Sequence, residues 1–238
     1  MHATRDVARY DAAAELYQRL NPDLRGDVVG EALLGLIAPV RGCRVLDLAC
    51  GAGRVARVLV RQGAAVTGLD LSAAQLESAI AAERAEPLGI VYVHGSCADP
   101  DVLAGSRFDA VVCHHGLSDI DDLDGCVATV ARVLEPGGRF AFSILHPCFP
   151  GWPPDVSASW PPGGYHTEGF WVPDGGRSHL RRQVGANHRL LSTYLNALAR
   201  RGLHVEEAVE PEPPAQWLRE RPGAGTVPTF LVARCVKG

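Results

Sequence analysis

Apolar positions in this chain switch between two patterns. Four short continuous runs, Val45–Leu48, Ala64–Leu69, Ile90–Val93 and Phe108–Cys113, have the length and residue types of buried strands. Between them apolar residues recur at helical spacing, most plainly from Asp121 to Leu134, where Leu123, Val127, Val130 and Leu134 share one face. Strands alternating with amphipathic helices predict an α/β fold.

The first of these strands organises the rest. It carries a carboxylate, Asp47, and runs into the glycine turn Gly51-Ala52-Gly53 and then a helix reaching about Gln62. Gly63 stands where a left-handed helix cap is wanted. A strand, a glycine turn and a helix together bring backbone N–H groups up to a ligand, and Gly51 and Gly53 have no Cβ to keep that ligand away. Asp47 would sit poorly beside a pyrophosphate, so a ligand carrying positive charge is expected instead. The second strand ends in Asp70, placed to accept hydrogen bonds from both hydroxyls of a ribose. Ser72 and Gln75 then read as a capping box for the next helix.

The flanking segments read as cover for the strand ends. A helix is expected over residues 6 to 20, with Tyr10, Ala13, Ala14, Tyr17 and Leu20 on one face, ended by Asn21-Pro22. A second runs from Val28 to Ile37, stopped by Pro39. After Ser143–Phe149 the chain changes character up to about Gly185, with Trp152, Trp160 and Trp171 among repeated Pro and Gly. So long a segment without regular structure is expected to be a functional lid. Arg177, His179, Arg181 and Arg182 within it read first as a solvated charge run, with a grip on an anionic substrate as the alternative. A helix is expected from His188 to Ala199, with Leu191, Tyr194, Leu195 and Leu198 inward and Gly202 closing it. Strands over His204–Val209 and Thr229–Cys235 end the chain, with Trp217 between them.

Composition narrows the function. The 238 residues suit one sizeable α/β domain. A net charge of −4 argues against a general nucleic-acid or membrane-surface role, and no apolar run has spanning length. The first residues, Met1 to Asp6, have no apolar core, so no signal peptide is expected. Seven scattered cysteines, none in a Cys-x-x-Cys pair, suit reduced thiols in the cytoplasm. His114, His115, His146 and Cys148 lack the tight spacing of a structural zinc site, so no metal is expected.

Asp47, Gly51 and Gly53 resemble the first motif, Asp/Glu-x-x-x-Gly-x-Gly, of class I S-adenosylmethionine-dependent methyltransferases, with Ala49 where relatives often have Gly. Leu134-Glu-Pro-Gly-Gly resembles the turn leading into their fifth strand, and with Asp70 and Phe108-Asp109 in order the resemblance covers roughly residues 40 to 146. Weaker likenesses at His146-Pro147, His188-Arg189 and Glu210-Pro211 suggest a bacterial small-molecule branch.

The resemblance implies a Rossmann-like doubly wound seven-stranded sheet in the order 3-2-1-4-5-7-6, with strand 7 antiparallel. It divides a single domain into a helical cap (1–42), a cofactor-binding half (43–146), the lid insertion (147–187) and a C-terminal helix with the last two strands (188–238). It also implies S-adenosylmethionine as cofactor, lined by Tyr10, Tyr17, Asp47, Ala49, Gly51, Gly53, Asp70, Leu71, Ser96, Cys97, Cys113 and His114. Tyr10 and Tyr17 are candidates to close over the methionine end. Relatives commonly have a carboxylate near adenine where this chain has Ser96, so Ser96 or Asp99 is expected to replace it.

His114 and His115 stand at the end of the fourth strand, where open α/β sheets bind ligands. They and His146 are the candidate bases for methylating a hydroxyl, with His188 a further one. The expected partner is a small-molecule acceptor, through O- or N-methylation of a bacterial secondary metabolite or its precursor, by a monomer or homodimer. Rival readings are a fold relative that binds the cofactor for a non-methylating reaction such as cyclisation, a dinucleotide-dependent oxidoreductase, and a non-catalytic binding protein.

Overall fold

A computed structural model describes residues 7–20, 23–151, 160–173, 179–220 and 225–238. Two short helices, α1 (Ala14–Leu20) and α2 (Val28–Ile37), precede the first strand. The α/β core then runs β1 (Arg44–Leu48), α3 (Arg54–Arg61), β2 (Ala65–Asp70), α4 (Ala73–Ala85), β3 (Val91–His94), β4 (Phe108–His114), α5 (Leu123–Val133) and β5 (Leu134–Leu145). Beyond it lie β6 (Gly169–Trp171), α6 (His179–Val184), β7 (Ala186–His188), α7 (Leu191–Ala199), β8 (Leu203–Val209), α8 (Ala215–Glu220) and β9 (Phe230–Lys237).

One seven-stranded sheet has the order β3-β2-β1-β4-β5-β9-β8. Strands β1 to β5 are parallel, and β9 runs antiparallel between β5 and β8. This is the order and polarity the resemblance implied.

The two-residue repeat of a strand sorts side chains between two cores. Leu46, Leu48, Val111, Cys113, Phe140, Phe142 and Ile144 pack with α5 and α7 on one face. Val45, Ala110, Val112, Ala141 and Val232 pack with α2 and α3 on the other. By the same alternation Asp47 and His114 lie on the α2/α3 side, and Cys113 is sealed into the opposite core.

Local chemistry explains most boundaries. Asp27 caps α2, its Oδ1 accepting the N–H groups of Val29 and Gly30 at 3.1 Å each. Gly63, at φ 95°, follows the last turn of α3 as expected. Ser72 Oγ accepts the Gln75 N–H at 3.2 Å, but the return half of the capping box is missing. Asp70 Oδ1 takes the Ser72 N–H instead, at 2.8 Å.

Four expectations change. Residues 7 to 13 form turns, not helix, because the segment is held by distant groups: Ser72 Oγ donates to Asp11 at 2.7 Å and Tyr10 reaches Asp119. The segment after β5 is partly regular, since β6 and β7 form an antiparallel ribbon with α6 between them. His188 therefore belongs to β7 and not to the following helix. Leu195, expected inward on α7, is 40% exposed, while Tyr194 and Leu198 are buried. The expected ends of the first helix at Asn21-Pro22, together with Trp152 and Arg177, lie outside the described residues.

Candidate active site

A cavity of about 570 Å³ opens over the C-terminal ends of the strands, within the size range of small-molecule sites. The ends of β1 to β3 supply Ala49, Gly51, Asp70, Leu71, Ser96 and Cys97 to its wall. The ends of β4 and β5 supply His114, His115, Gly116, Leu145 and His146, and the far side is closed by Trp217 and Phe230. Tyr10 and Tyr17 cover it from the N-terminal segment, and Trp171, Arg181, His188 and Arg189 from the segment after β5.

Three residues assigned to the cofactor lie off this wall. Asp47, 1% exposed, sits beneath the turn and its Oδ2 accepts the Ala56 N–H at 2.9 Å. Gly53, the residue before α3, has φ 76° and no side chain to cap the helix, so Asp47 supplies the missing acceptor from the strand below. Burial, reinforced by the charge of Asp70, pushes the Asp47 carboxyl up to about 7. Gly53 is off the wall because Tyr92 lies against it: a Cβ there would meet the Tyr92 hydroxyl at 2.2 Å. Cys113 faces the α5 core and is fully buried.

Asp70 reaches the cavity and also braces it. Its Oδ2 accepts the Gly51 N–H at 2.7 Å. Burial raises its pKa, against the pull of the Ser72 and Gly51 N–H groups. Ser96 and Cys97 line the cavity, with Ser96 Oγ accepting the Ala98 N–H at 3.0 Å. Asp99 does not replace the absent carboxylate, because it is exposed and its Oδ1 accepts the Asp101 N–H.

The histidines differ in what their rings hold. His114 Nε2 is 3.0 Å from Asp27 Oδ2, and its Nδ1 is 2.9 Å from Ser143 Oγ. His146 Nδ1 accepts the Cys148 N–H at 3.1 Å, and its Nε2 faces Glu210 Oε1 at 3.2 Å. His188 Nε2 donates to the Tyr165 carbonyl at 2.7 Å. The His115 ring packs between His114, at 4.2 Å, and Phe230, at 5.6 Å, and makes no hydrogen bond among the described residues. Burial, then the neighbouring His114, hold its pKa well below the ordinary value, so the ring is neutral at neutral pH. The backbone aims it: His115 has φ 60°, an uncommon left-handed conformation for a residue with a side chain. Gly116 follows, where a Cβ would meet Ala49 Cβ at 2.7 Å and Cys113 Sγ at 2.8 Å.

The sequence reading missed the loop after β4. Asp119 accepts the Tyr10 hydroxyl at 2.8 Å and pairs with Arg181. Both carboxylate oxygens of Asp121 lie 2.6 Å from Arg9 Nη2. Arg189 donates to the carbonyls of Leu117, Ile120 and Asp121. The N-terminal segment and the segment after β5 are thus both fastened to this loop. Arg181 is no solvated charge, and Arg182, half-buried, donates to His179. No local pattern marks such a hub, because its bonded partners lie up to 112 residues apart.

A family described as a methyltransferase domain matches residues 46–142. Over 151 residues the chain is 34% identical to a ubiquinone biosynthesis O-methyltransferase of Alkalilimnicola ehrlichii, covering 59% of this chain and 59% of that protein. The Klebsiella pneumoniae protein of the same name is 30% identical over 59% of this chain and 60% of its own. The chain thus spans about three fifths of these curated relatives. The crystal structure of an S-adenosylmethionine-dependent methyltransferase from Mesorhizobium loti superposes with a TM-score of 0.74 at 32% identity, over 90% of this chain and all of that one.

Proposed function

The chain belongs to the S-adenosylmethionine-dependent methyltransferases, and on that premise we propose that it methylates a hydroxyl group of a small-molecule acceptor, with His115 as general base. The observation that carries the base assignment is the state of the four histidines at the cavity, of which His188 is held at Nε2 by the Tyr165 carbonyl. His114 and His146 have partners on both ring nitrogens, and His115 has none among the described residues. Hydroxyl rather than amine acceptors are favoured by this neutral ring and by the O-methyltransferase names of the curated relatives.

The residues present fit the family's cofactor. Asp70 is a half-buried carboxylate at the end of β2 that lines the cavity, suited to a vicinal diol. Ala49 and Gly51 bring backbone to the wall without large side chains, and Ser96 and Cys97 border the space expected for the base. Tyr10 and Tyr17, ring centroids 5.5 Å apart and edge to face, would close over the other end. When bound, S-adenosylmethionine supplies an electrophilic methyl group on a sulfonium.

The protein's part is then small and specific. The acceptor is held beyond β4, against His115 and the aromatic wall of Phe230 and Trp217. The cofactor, held by Asp70, Tyr10 and Tyr17, would supply the methyl group to the acceptor oxygen and would keep the electron pair of its carbon–sulfur bond. The hydroxyl proton passes to a nitrogen of His115. The closed N-terminal segment and the β6–β7 ribbon exclude water and hold the reactants in line.

The test combines binding and turnover. S-adenosylhomocysteine should bind in calorimetry and nicotinamide dinucleotides should not, with Asp70→Ala weakening binding by about 1–3 kcal/mol. With a simple catechol as acceptor, His115→Ala should lower kcat by about two orders of magnitude. Preferential dinucleotide binding would restore the oxidoreductase reading. A wild-type kcat in His115→Ala would remove the base. Product of unchanged mass from an accepted substrate would favour a non-methylating reaction.

A further inference from the structure

Asp27 uses its two carboxylate oxygens for two separate jobs. Oδ1 accepts the Val29 and Gly30 N–H groups and so caps α2. Oδ2 lies 3.0 Å from His114 Nε2. An ionised carboxylate only accepts hydrogen bonds, so Nε2 must carry a proton. At Nδ1, His114 meets Ser143 Oγ at 2.9 Å, and the same oxygen accepts the His115 N–H at 2.9 Å. The chain Asp27–His114–Ser143 therefore ends on the backbone of His115, at the residue with the left-handed φ. The His114 ring also packs on the His115 ring at 4.2 Å. Burial disfavours charge on Asp27, but the hydrogen bond and charge of His114 together with the Gly30 N–H outweigh it and hold the carboxylate well below its usual range.

We propose that Asp27 and His114 are positioning residues for His115. Together they fix its ring and backbone through Ser143, and Asp27 supplies the negative charge that balances the proton His115 takes up. The inference rests on His115 being the base. Of the charged groups that act most on the His115 ring, Arg54 of α3 and Arg181 of α6 are cationic and Asp27 is the anion. A protonated His115 with no nearby anion would be costly at this half-buried position.

Asp27→Asn separates this role from helix capping. Asparagine caps as well as aspartate, so its single oxygen stays on the Val29 and Gly30 N–H groups. Its amide NH₂ then faces His114 Nε2 as a donor. His114 must present a bare Nε2 and move its proton to Nδ1, where Ser143 Oγ can accept it. The fold keeps its hydrogen bonds, and only the charge and the tautomer change.

Nitrogen-15 NMR of the histidine rings reads this directly. The wild type is expected to show a protonated Nε2 at His114 at neutral pH, and Asp27→Asn a protonated Nδ1, with the His115 ring signals displaced. In the catechol assay Asp27→Asn should lower kcat about tenfold with KM unchanged, and should add nothing to His115→Ala. An unprotonated Nε2 in the wild type, or no change of tautomer in Asp27→Asn, would overturn the proposal. So would an unchanged kcat in Asp27→Asn beside an inactive His115→Ala, which leaves the base in place. An active His115→Ala would instead remove the base itself, whatever the tautomer of His114.

Discussion

Asp47 and Ala56 are joined by a hydrogen bond of 2.9 Å from the Ala56 N–H to a carboxylate with 1% exposure, beneath the turn that both residues flank. The most recognisable acid of the sequence motif thus braces the helix behind the cavity and lies off the cavity wall. Strand alternation explains this: Val45 and Asp47 face α3, while Leu46 and Leu48 face the other core.

The same burial makes Asp47 a source of pH-dependent stability. Its carboxyl is pushed up to about 7, chiefly by burial, from an unfolded value near 4. Between these values the folded protein keeps a proton that the unfolded chain has released. The stability contribution is therefore complete below about pH 4 and declines as pH rises through about 7. Its size is on the order of 4 kcal/mol. Asp47→Asn removes the titration and can still offer an oxygen to Ala56. In urea unfolding at a series of pH values, its stability relative to wild type should rise steadily from pH 4.5 to 8. Parallel curves would show that Asp47 is already charged in the fold at pH 4.5.

Much of this was legible from residue pattern. The apolar runs located β1, β2, β3 and β4 to within a residue or two; for β1 and β4 the reason is that a strand buried on both faces needs continuous apolar side chains. Val28–Ile37 was read to the residue, although its cap, Asp27, went unnoticed. Asp70 and the histidine pair could be placed at the cavity wall because they end strands, where α/β sheets hold ligands. The role of Asp47 was not found, since a motif shows which residues occur but not which face of the strand they take. Nor was the fastening of the N-terminal segment visible, because Arg9, Arg181 and Arg189 meet Asp119 and Asp121 only in three dimensions.

That fastening has a measurable strength. Arg181 and Asp119 are side chains with 27% and 19% exposure, joined to Tyr10 through the same carboxylate. Removing Arg181 alone leaves Asp119 and its Tyr10 contact short of a counter-charge. A double-mutant cycle of Arg181→Met and Asp119→Asn should give a coupling of about 1–3 kcal/mol in urea unfolding. The Arg181→Met variant should also raise the hydrogen-exchange rate of β6, β7 and the Val7–Ala13 turns more than that of β4. Additive effects with uniform exchange would show the loop to be held by Arg9 and Arg189 alone.

The glycine turn offers a sharper test, because its constraint lies in one contact. Gly53 stands at φ 76°, and a Cβ there would meet the Tyr92 hydroxyl at 2.2 Å and its Cζ at 3.0 Å. That hydroxyl is buried and has no hydrogen-bond partner among the described residues. Gly53→Ala should therefore cost the left-handed backbone, about 1–2 kcal/mol, plus whatever is needed to move the ring. Tyr92→Phe removes an unpaired buried hydroxyl and should be neutral or stabilising. It also removes the atom that the new methyl group strikes first. The double variant should recover part of the loss, leaving about the backbone cost alone, as read from urea midpoints. A loss that Tyr92→Phe does not relieve would place the whole requirement for glycine in the backbone conformation, and none of it in the space that Tyr92 occupies.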